Sequence, residues 1–428
     1  MAEMIHPTDG LPPSPGAAAE SRRWWLLTLV VLAGILNLVD RQVISVLKPT
    51  IQADMGWSDA DYGALASLFQ FSAAVAFLGT GWIADRLGVK WATPAGVAAW
   101  SLAAMAHGWA FTIAQFSFAR AALGATESMG TPAFMKTIAS VFSAKERSVA
   151  FGVSNGAGSI GAIATPLVLP VLAMAVGWRG SFVLVGALGF AWVALWFVTT
   201  RGITFVRHVE AKAPRNTLAG LGVLLSDRRT WGIAGAKALS DQVWWLLLFW
   251  APDFFHRAYG VAVKDIGPPL AIAYIGSALG SMIAGWIASR LLARGFSLNT
   301  VRKGVMLGSA LLVTVVPMAL FAHNLWLAAV ILAITLAGHQ GFSVSIFSTI
   351  ADVIPKSRVG SVVSFGALCG NLSGMGIVYL AGQILTRGLG YGPLLAIASV
   401  SYLLGLAWLH LWLPRITAAE DDVQSLTT

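Results

Sequence analysis

Six ionisable side chains stand inside long apolar stretches of this 428-residue chain: Asp40 and Arg41, Arg120 and Glu127, Lys237 and Asp241. Near the centre of a membrane helix each costs roughly 2.5–3.5 kcal/mol on insertion scales. Three acids accompany three bases, which predicts pairing within the protein. Lys237 and Asp241 are four apart, on one helix face, and can neutralise each other locally; for them a packing role is the plainer reading. Arg120 and Glu127 are seven apart, two turns along one face, too far to satisfy each other. Asp40 and Arg41 are adjacent and point roughly 100° apart around a helix, so both need partners on other helices. The plainer reading, helix packing alone, is the weaker one for these four. Arginine keeps its charge and offers a planar fork to a carboxylate. Burial and a nearby arginine pull a carboxyl's proton affinity in opposite directions, so an acid between them can exchange a proton as its neighbours move. The chemistry expected is recognition of an organic anion by Arg41 and Arg120, coupled to protons carried by Asp40 and Glu127.

Other polar residues within apolar runs are candidates to bind the neutral groups of such a ligand: Asn37, Gln70, Asn155, His339, Gln340 and Asn371. Each alone serves equally well as an interhelical hydrogen bond. His339-Gln340 says more, being two large polar side chains in an otherwise apolar run. Most of the 18 tryptophans are interfacial anchors, although Trp244, with Trp245, beside Asp241 would wall a sugar ring. Enzyme chemistry has no foothold, since neither HExxH nor a phosphate-binding Walker loop occurs. Gly156 to Gly161 is formally GxGxxG, but it lies inside an apolar run rather than between strand and helix, where close helix packing explains it. Cys369 is the only cysteine, which rules out an internal disulfide and a cysteine metal cluster; it reads as a small packing residue. No metal and no cofactor are expected, protons being the coupling ion.

The elements that must hold these residues follow from composition. Hydrophobic residues make up 57% of the chain and charged ones 11%, with a mean hydropathy of +0.74. A soluble domain carries about a quarter charged residues, so the solvent for most of this chain is lipid. The 45 glycines suit close approach of membrane helices. Twelve stretches are long enough to cross a hydrocarbon core of about 30 Å: 24–46, 62–84, 92–111, 114–139, 148–173, 179–199, 230–254, 267–289, 303–322, 325–349, 359–385 and 391–413. The first is too long for a signal-peptide core and is expected to be retained.

Lysine and arginine crowd one set of connections (Arg86, Lys90, Lys145, Arg147, Arg201, Arg229, Arg290, Arg302, Arg358) and are sparse in the other (Lys48, Arg179, Arg257, Lys264, Arg387). This asymmetry predicts both termini in the cytoplasm and accounts for the net charge of +9 without nucleic acid. Gly81-Trp82-Ile83-Ala84-Asp85-Arg86-Leu87 recurs as Gly285-Trp286-Ile287-Ala288-Ser289-Arg290-Leu291, and Lys145-Glu146-Arg147 has a fainter echo in Lys356-Ser357-Arg358. The chain therefore divides into a tail (1–23), a six-helix bundle (24–200), a linker (201–229), a second six-helix bundle (230–414) and a tail (415–428). Parallel six-helix repeats put a substrate site near the midplane between them, which predicts alternating access.

At these residues the chain resembles the major facilitator superfamily, and more closely its anion:cation symporter family. Gly81-x-x-x-Asp85-Arg86-x-Gly88-x-Lys90 is similar to the superfamily's loop signature, and Arg120-x-x-x-Gly124 to its fourth-helix motif. Asn37-Leu38-Val39-Asp40-Arg41 is similar to the family's Asn-Tyr-x-Asp-Arg, and Arg120 to Glu127, with Pro132 and Lys136, to its fourth-helix pattern. Asp241 to Trp245, and His339 to Ser343 with Asp352-Val353, resemble the hexuronate branch of bacterial sugar-acid symporters. The resemblance implies an all-α membrane protein of the major facilitator fold. It also implies proton coupling at Asp40 and Glu127, anion recognition at Arg41 and Arg120, and gating by Asp85, Arg86 and Arg290. Leu38, Ala73 and Gly130 stand where that family carries Tyr, Tyr and Asn, so a related uronate, an unsaturated or deoxy uronate and an aldonate all remain open as substrates. The expected function is proton-coupled import of organic anions, most simply hexuronates, by a monomer in the bacterial inner membrane. The alternative is exchange or export of carboxylated metabolites.

Overall fold

The computed structural model describes residues 21–203, 205, 217–355 and 358–417. Most of both expected tails, residues 204 and 206–216 of the linker, and the Lys356-Ser357 part of the echo lie outside these. In chain order the helices are α1 Arg23–Val46, α2 Lys48–Met55, α3 Asp59–Leu87, α4 Val89–Gly108, α5 Ile113–Glu127, α6 Gly130–Val141 and α7 Ala144–Thr199. They continue with α8 Thr217–Ser226, α9 Arg228–Tyr259, α10 Gly267–Ala293, α11 Leu298–Val313, α12 Leu325–Val353, α13 Val359–Thr386 and α14 Gly392–Trp412. Among the described residues there is no strand, and eight helical runs are long and apolar enough to cross a membrane.

Local chemistry sets the boundaries. Ser58 and Thr112 open α3 and α5 with reciprocal capping boxes to Asp61 and Gln115. The expected span 114–139 is two helices, because α5 stops at Glu127 and α6 resumes at Gly130. Pro132 has no N–H to give to the Ser128 carbonyl and its ring crowds that turn. The break leaves Glu127 as the last residue of α5.

The 56 residues of α7 would run roughly 80 Å if straight. Its two ends instead meet neighbouring residues: Glu146 pairs with Arg23 at 2.9 Å, while Arg22 donates to the carbonyls of Thr199 and Arg201. The chain doubles back at Gly177, whose φ of 72° and ψ of 172° suit only a residue without Cβ. Two expected spans, 148–173 and 179–199, are the limbs of this one element.

Packing repeats with the sequence. The pairs α1–α7, α3–α5 and α4–α5 are matched by α9–α13, α10–α12 and α11–α12. The two most extensive contacts between the groups, α3–α13 and α10–α7, are likewise a matched pair, and α9 also touches α1 and α2. Both joins lie at one end of the molecule. Gly63 rests on the backbone of Val378 and Gly382, the Ala60 amide donates to Thr386, and Gly267 abuts Pro166 and Leu167. At the other end Gly79, Gly81, Gly152 and Gly285 face open space. That open end is the basic one, where Arg228 reaches the carbonyl of Trp412 and Lys303 those of Leu413 and Pro414.

A side chain at position 177 would have to adopt a backbone that costs about 1–3 kcal/mol. Gly177→Ala should therefore lower the midpoint of thermal unfolding followed by tryptophan fluorescence. Gly79→Ala, in regular helix with space around it, should not.

Candidate functional site

α1, α3, α5 and α9 bring the intramembrane charges together. Arg41 Nε donates to Glu127 Oε2 at 2.6 Å, joining α1 to the end of α5. Both Arg41 and Arg120 lie over the ring of Phe69 on α3, at 5.4 and 4.5 Å. Arg120 also lies over the ring of Phe249 of α9, at 5.7 Å. Arg120 is wholly buried, and none of its three side-chain nitrogens has a hydrogen-bond partner among the described residues. The other Glu127 oxygen and Oδ1 of buried Asp40 are equally unmatched, and Asp40 feels the charges of Glu127, Arg120 and Arg41. An unpaired buried guanidinium is costly, and its planar fork against aromatic rings is suited to a planar anion.

Asn37 lies one turn before Asp40 and Arg41, with its Nδ2 buried and unmatched. Gln70 is 1% exposed and neither of its amide atoms is hydrogen-bonded. It meets Trp245 and Gly374 where α3, α9 and α13 converge, since a methyl on Gly374 would sit 2.2 Å from Trp245 Cδ1 and 2.7 Å from Gln70 Oε1. Gln340 and Asn371 are half-buried on α12 and α13. The backbone of Asn155 is in α7, and its side chain lies outside the described part of the structure.

His339 and Trp244 form a cluster of their own. Their rings stack at 5.1 Å and 13°. The Tyr402 hydroxyl is 2.5 Å from His339 Nδ1 and donates to the Ser240 carbonyl, so Nδ1 carries the imidazole proton. The four-apart pair Lys237–Asp241 closes on itself at 2.9 Å, as its spacing predicts, with Gly370 leaving room for the carboxylate.

At the open end Asp85 pairs with Lys136, which ties α3 to α6. Arg86 and Arg290 are exposed, each above the tryptophan one turn earlier, Trp82 at 5.3 Å and Trp286 at 5.1 Å. Both copies of the repeated motif thus share one cation–π geometry, and among the described residues neither arginine makes a bridge across the two groups. Beside them Asp227 caps α9, binding Arg229 and lying 3.6 Å from Arg358. Burial disfavours its charge, but hydrogen bonds from Arg229 and the charges of Arg229 and Arg358 hold the carboxyl below the ordinary carboxylate range. A lowered folded value means stability that is present above the unfolded value of about 4 and lost as pH falls through the folded one. Thermal unfolding of Asp227→Asn should accordingly fall less steeply than wild type between about pH 5 and pH 3.

Sequence reasoning missed the closed end. Lys48, wholly buried, donates to Asp59 at 2.8 Å and to Asp253 at 2.5 Å. Arg257 reaches the same two carboxylates, Asp59 at 2.6 Å and Asp253 at 2.8 Å. The Tyr391 hydroxyl donates to Asp253 at 2.5 Å, and Lys48 also lies over Trp250 at 4.7 Å. Tyr62 of α3 adds a hydrogen bond to the Phe249 carbonyl at 2.7 Å. Lys48 and Asp59 come from the α1–α7 group and Asp253 and Arg257 from α9, so the network seals the join above Arg120. Its sequence signal was faint: opposite charges 205 residues apart, close to the repeat offset. Removing one partner of such a pair should be costly because the other is left buried and alone. Lys48→Met and Asp253→Asn should each lower thermal stability, and the double variant should lose less than their sum, with a coupling of about 0.5–3 kcal/mol. Additive losses would dissolve the network.

The Major Facilitator Superfamily profile matches residues 30–375. The hexuronate transporter of Escherichia coli (strain K12) is 28% identical over 422 residues, covering 93% of this chain and 96% of that protein. The galacturonate transporter of Dickeya chrysanthemi is 27% identical over 310 residues, covering 68% of this chain and 88% of its own. Among solved structures, a bacterial homologue of the human lysosomal transporter Spinster, described as inward-facing and unoccupied, superposes with a TM-score of 0.71. It is 21% identical and covers 91% of this chain and 95% of its own. With its helical fold, apolar spans and profile match, this chain is an integral membrane transporter, not an enzyme, and it belongs to the Major Facilitator Superfamily.

Proposed function

We propose that this protein is a proton-coupled symporter that imports hexuronates or closely related sugar acids by alternating access. The observation that carries the reading is the buried guanidinium of Arg120, without a hydrogen-bond partner among the described residues and flanked by Phe69 and Phe249. Next to it Arg41 is held by Glu127. A ligand carboxylate that approaches Arg120 and Arg41 competes with Glu127 for Arg41. Protonation of Glu127 frees Arg41 for the ligand, and loss of the ligand returns Arg41 to Glu127. Binding of proton and anion are thereby favourable to each other, which is the thermodynamic requirement for symport. Asp40, with an unmatched buried oxygen in the same field, shares the proton, and two such carboxyls titrate as a pair.

In this reading the chain crosses the bilayer twelve times as two six-helix halves, joined by a linker over 201–229, with both termini in the cytoplasm of a bacterial cell. The concentration of lysine and arginine at the open end supports that sidedness. The molecule then stands open to the cytoplasm, with the Lys48–Asp59–Asp253–Arg257 network as its outer gate. Asp85, Arg86 and Arg290 become inner-gate residues when the halves close over them. The functions of these relatives, hexuronate and galacturonate transport, favour the substrate class.

Glu127→Gln tests the mechanism, because it fixes the side chain in a form that carries no releasable proton at nearly unchanged size. The purified variant in proteoliposomes should still exchange sugar acid for sugar acid, since exchange needs only the loaded carrier to reorient. Accumulation driven by a pH gradient should fall to background. A well-folded Glu127→Gln protein that still accumulates substrate uphill ends the assignment of coupling to Glu127. If exchange and accumulation fall together with stability, the Arg41–Glu127 bond is structural only.

A further inference from the structure

Two adjacent tryptophans of α9 stand near the join between the helix groups, and their surroundings separate their roles. The Trp244 ring is committed to packing: it stacks on His339 and meets Tyr274 edge-on at 6.3 Å. Both indoles are half-buried, but Trp245 is the one at the join itself, where it lies against Gly374 of α13 beside Gln70 of α3. Its ring lies nearly parallel to Phe249, at 6.0 Å and 17°, and Phe249 in turn covers Arg120. An aromatic run therefore leads from the unpaired guanidinium to Trp245. It ends at an amide whose oxygen and nitrogen are both buried and unmatched.

We infer that Trp245, and not Trp244, is the aromatic face that selects ring-form sugar acids over open-chain ones, with Gly374 and Gln70 fixing where that face stands. This rests on the sugar-acid reading above and deepens it. A pyranose presents a flat patch of C–H bonds on one face and hydroxyls around its edge. The patch buries against an indole, and the edge meets an amide that both donates and accepts, as in other ligand sites with an apolar wall and a few placed polar groups. An open-chain polyol acid has the same carboxylate for Arg120 but no fixed face, and it must surrender several rotors to make one. Gly374 matters because any Cβ there collides with both Trp245 and Gln70.

The test is calorimetric titration of the full chain in detergent with D-galacturonate, as the ring-form probe, and D-galactonate, as the open-chain probe. Trp245→Leu should weaken galacturonate roughly tenfold or more while changing galactonate by less than about threefold. Gly374→Ala should produce the same selective loss by displacing the indole, and Trp245→Phe should recover part of the preference. Should the Leu variant fail to give a monodisperse protein, the Ala and Phe variants carry the comparison. Equal losses for both acids, or none for either, overturn the assignment of Trp245 while leaving the sugar-acid reading in place. A wild type that binds neither acid ends that reading, and this inference with it.

Discussion

A charge withdrawn from water must be matched by another charge or by a ligand, and the helices of this protein are arranged around that requirement. Arg41 and Glu127 answer each other across α1 and α5. Lys237 and Asp241 do so within one helix, and four charges do so together at the closed end. Among the described residues Arg120 is the exception, because the groups against it are rings, and Glu127 and Asp40 act on it through their fields without ion-pair contact. The aromatic faces offset part of the cost of holding a bare guanidinium, yet they leave its N–H groups unused. Such residual demand distinguishes a binding group from a packing group.

Small residues let the surrounding helices approach closely enough for this to work. Gly63 against Gly382 brings α3 and α13 together near the network, and Gly124 lets α5 lie on the Phe69 carbonyl of α3. Without that approach Phe69 could not lie under both arginines. The matched joins α3–α13 and α10–α7 grip at one end only, so a rocking motion about them would open one face as it closes the other.

Much of this was legible in the sequence, for identifiable reasons. A charge in mid-helix is so rare that Asp40, Arg41, Arg120 and Glu127 stand out on composition alone, and the four-residue spacing of Lys237 and Asp241 states their partnership. The repeat of Gly81–Leu87 at Gly285–Leu291 anticipates the shared Trp–Arg geometry. What stayed hidden depends on three dimensions or on position. Lys48 and Asp253 lie at the ends of apolar runs, where charges are ordinary, and only folding buries them. The break after Glu127 follows from Pro132, yet hydropathy runs smoothly through it. Trp244 and Trp245 are neighbours of one type, and nothing in their order tells which ring His339 occupies.

The closed-end network has an electrical consequence. Lys48 with Asp59 on one side of the join, and Arg257 with Asp253 on the other, are two neutral pairs already in contact. Separating the sides breaks only the crossed bonds, Lys48–Asp253 and Arg257–Asp59, and strands no ion. Each elementary charge carried through a potential of 100 mV is worth about 2.3 kcal/mol. A gate whose leaves are each neutral does no such work when it swings. The membrane voltage therefore has little purchase on this barrier, and its leverage falls on the charges around Arg120, the proposed place of the cargo.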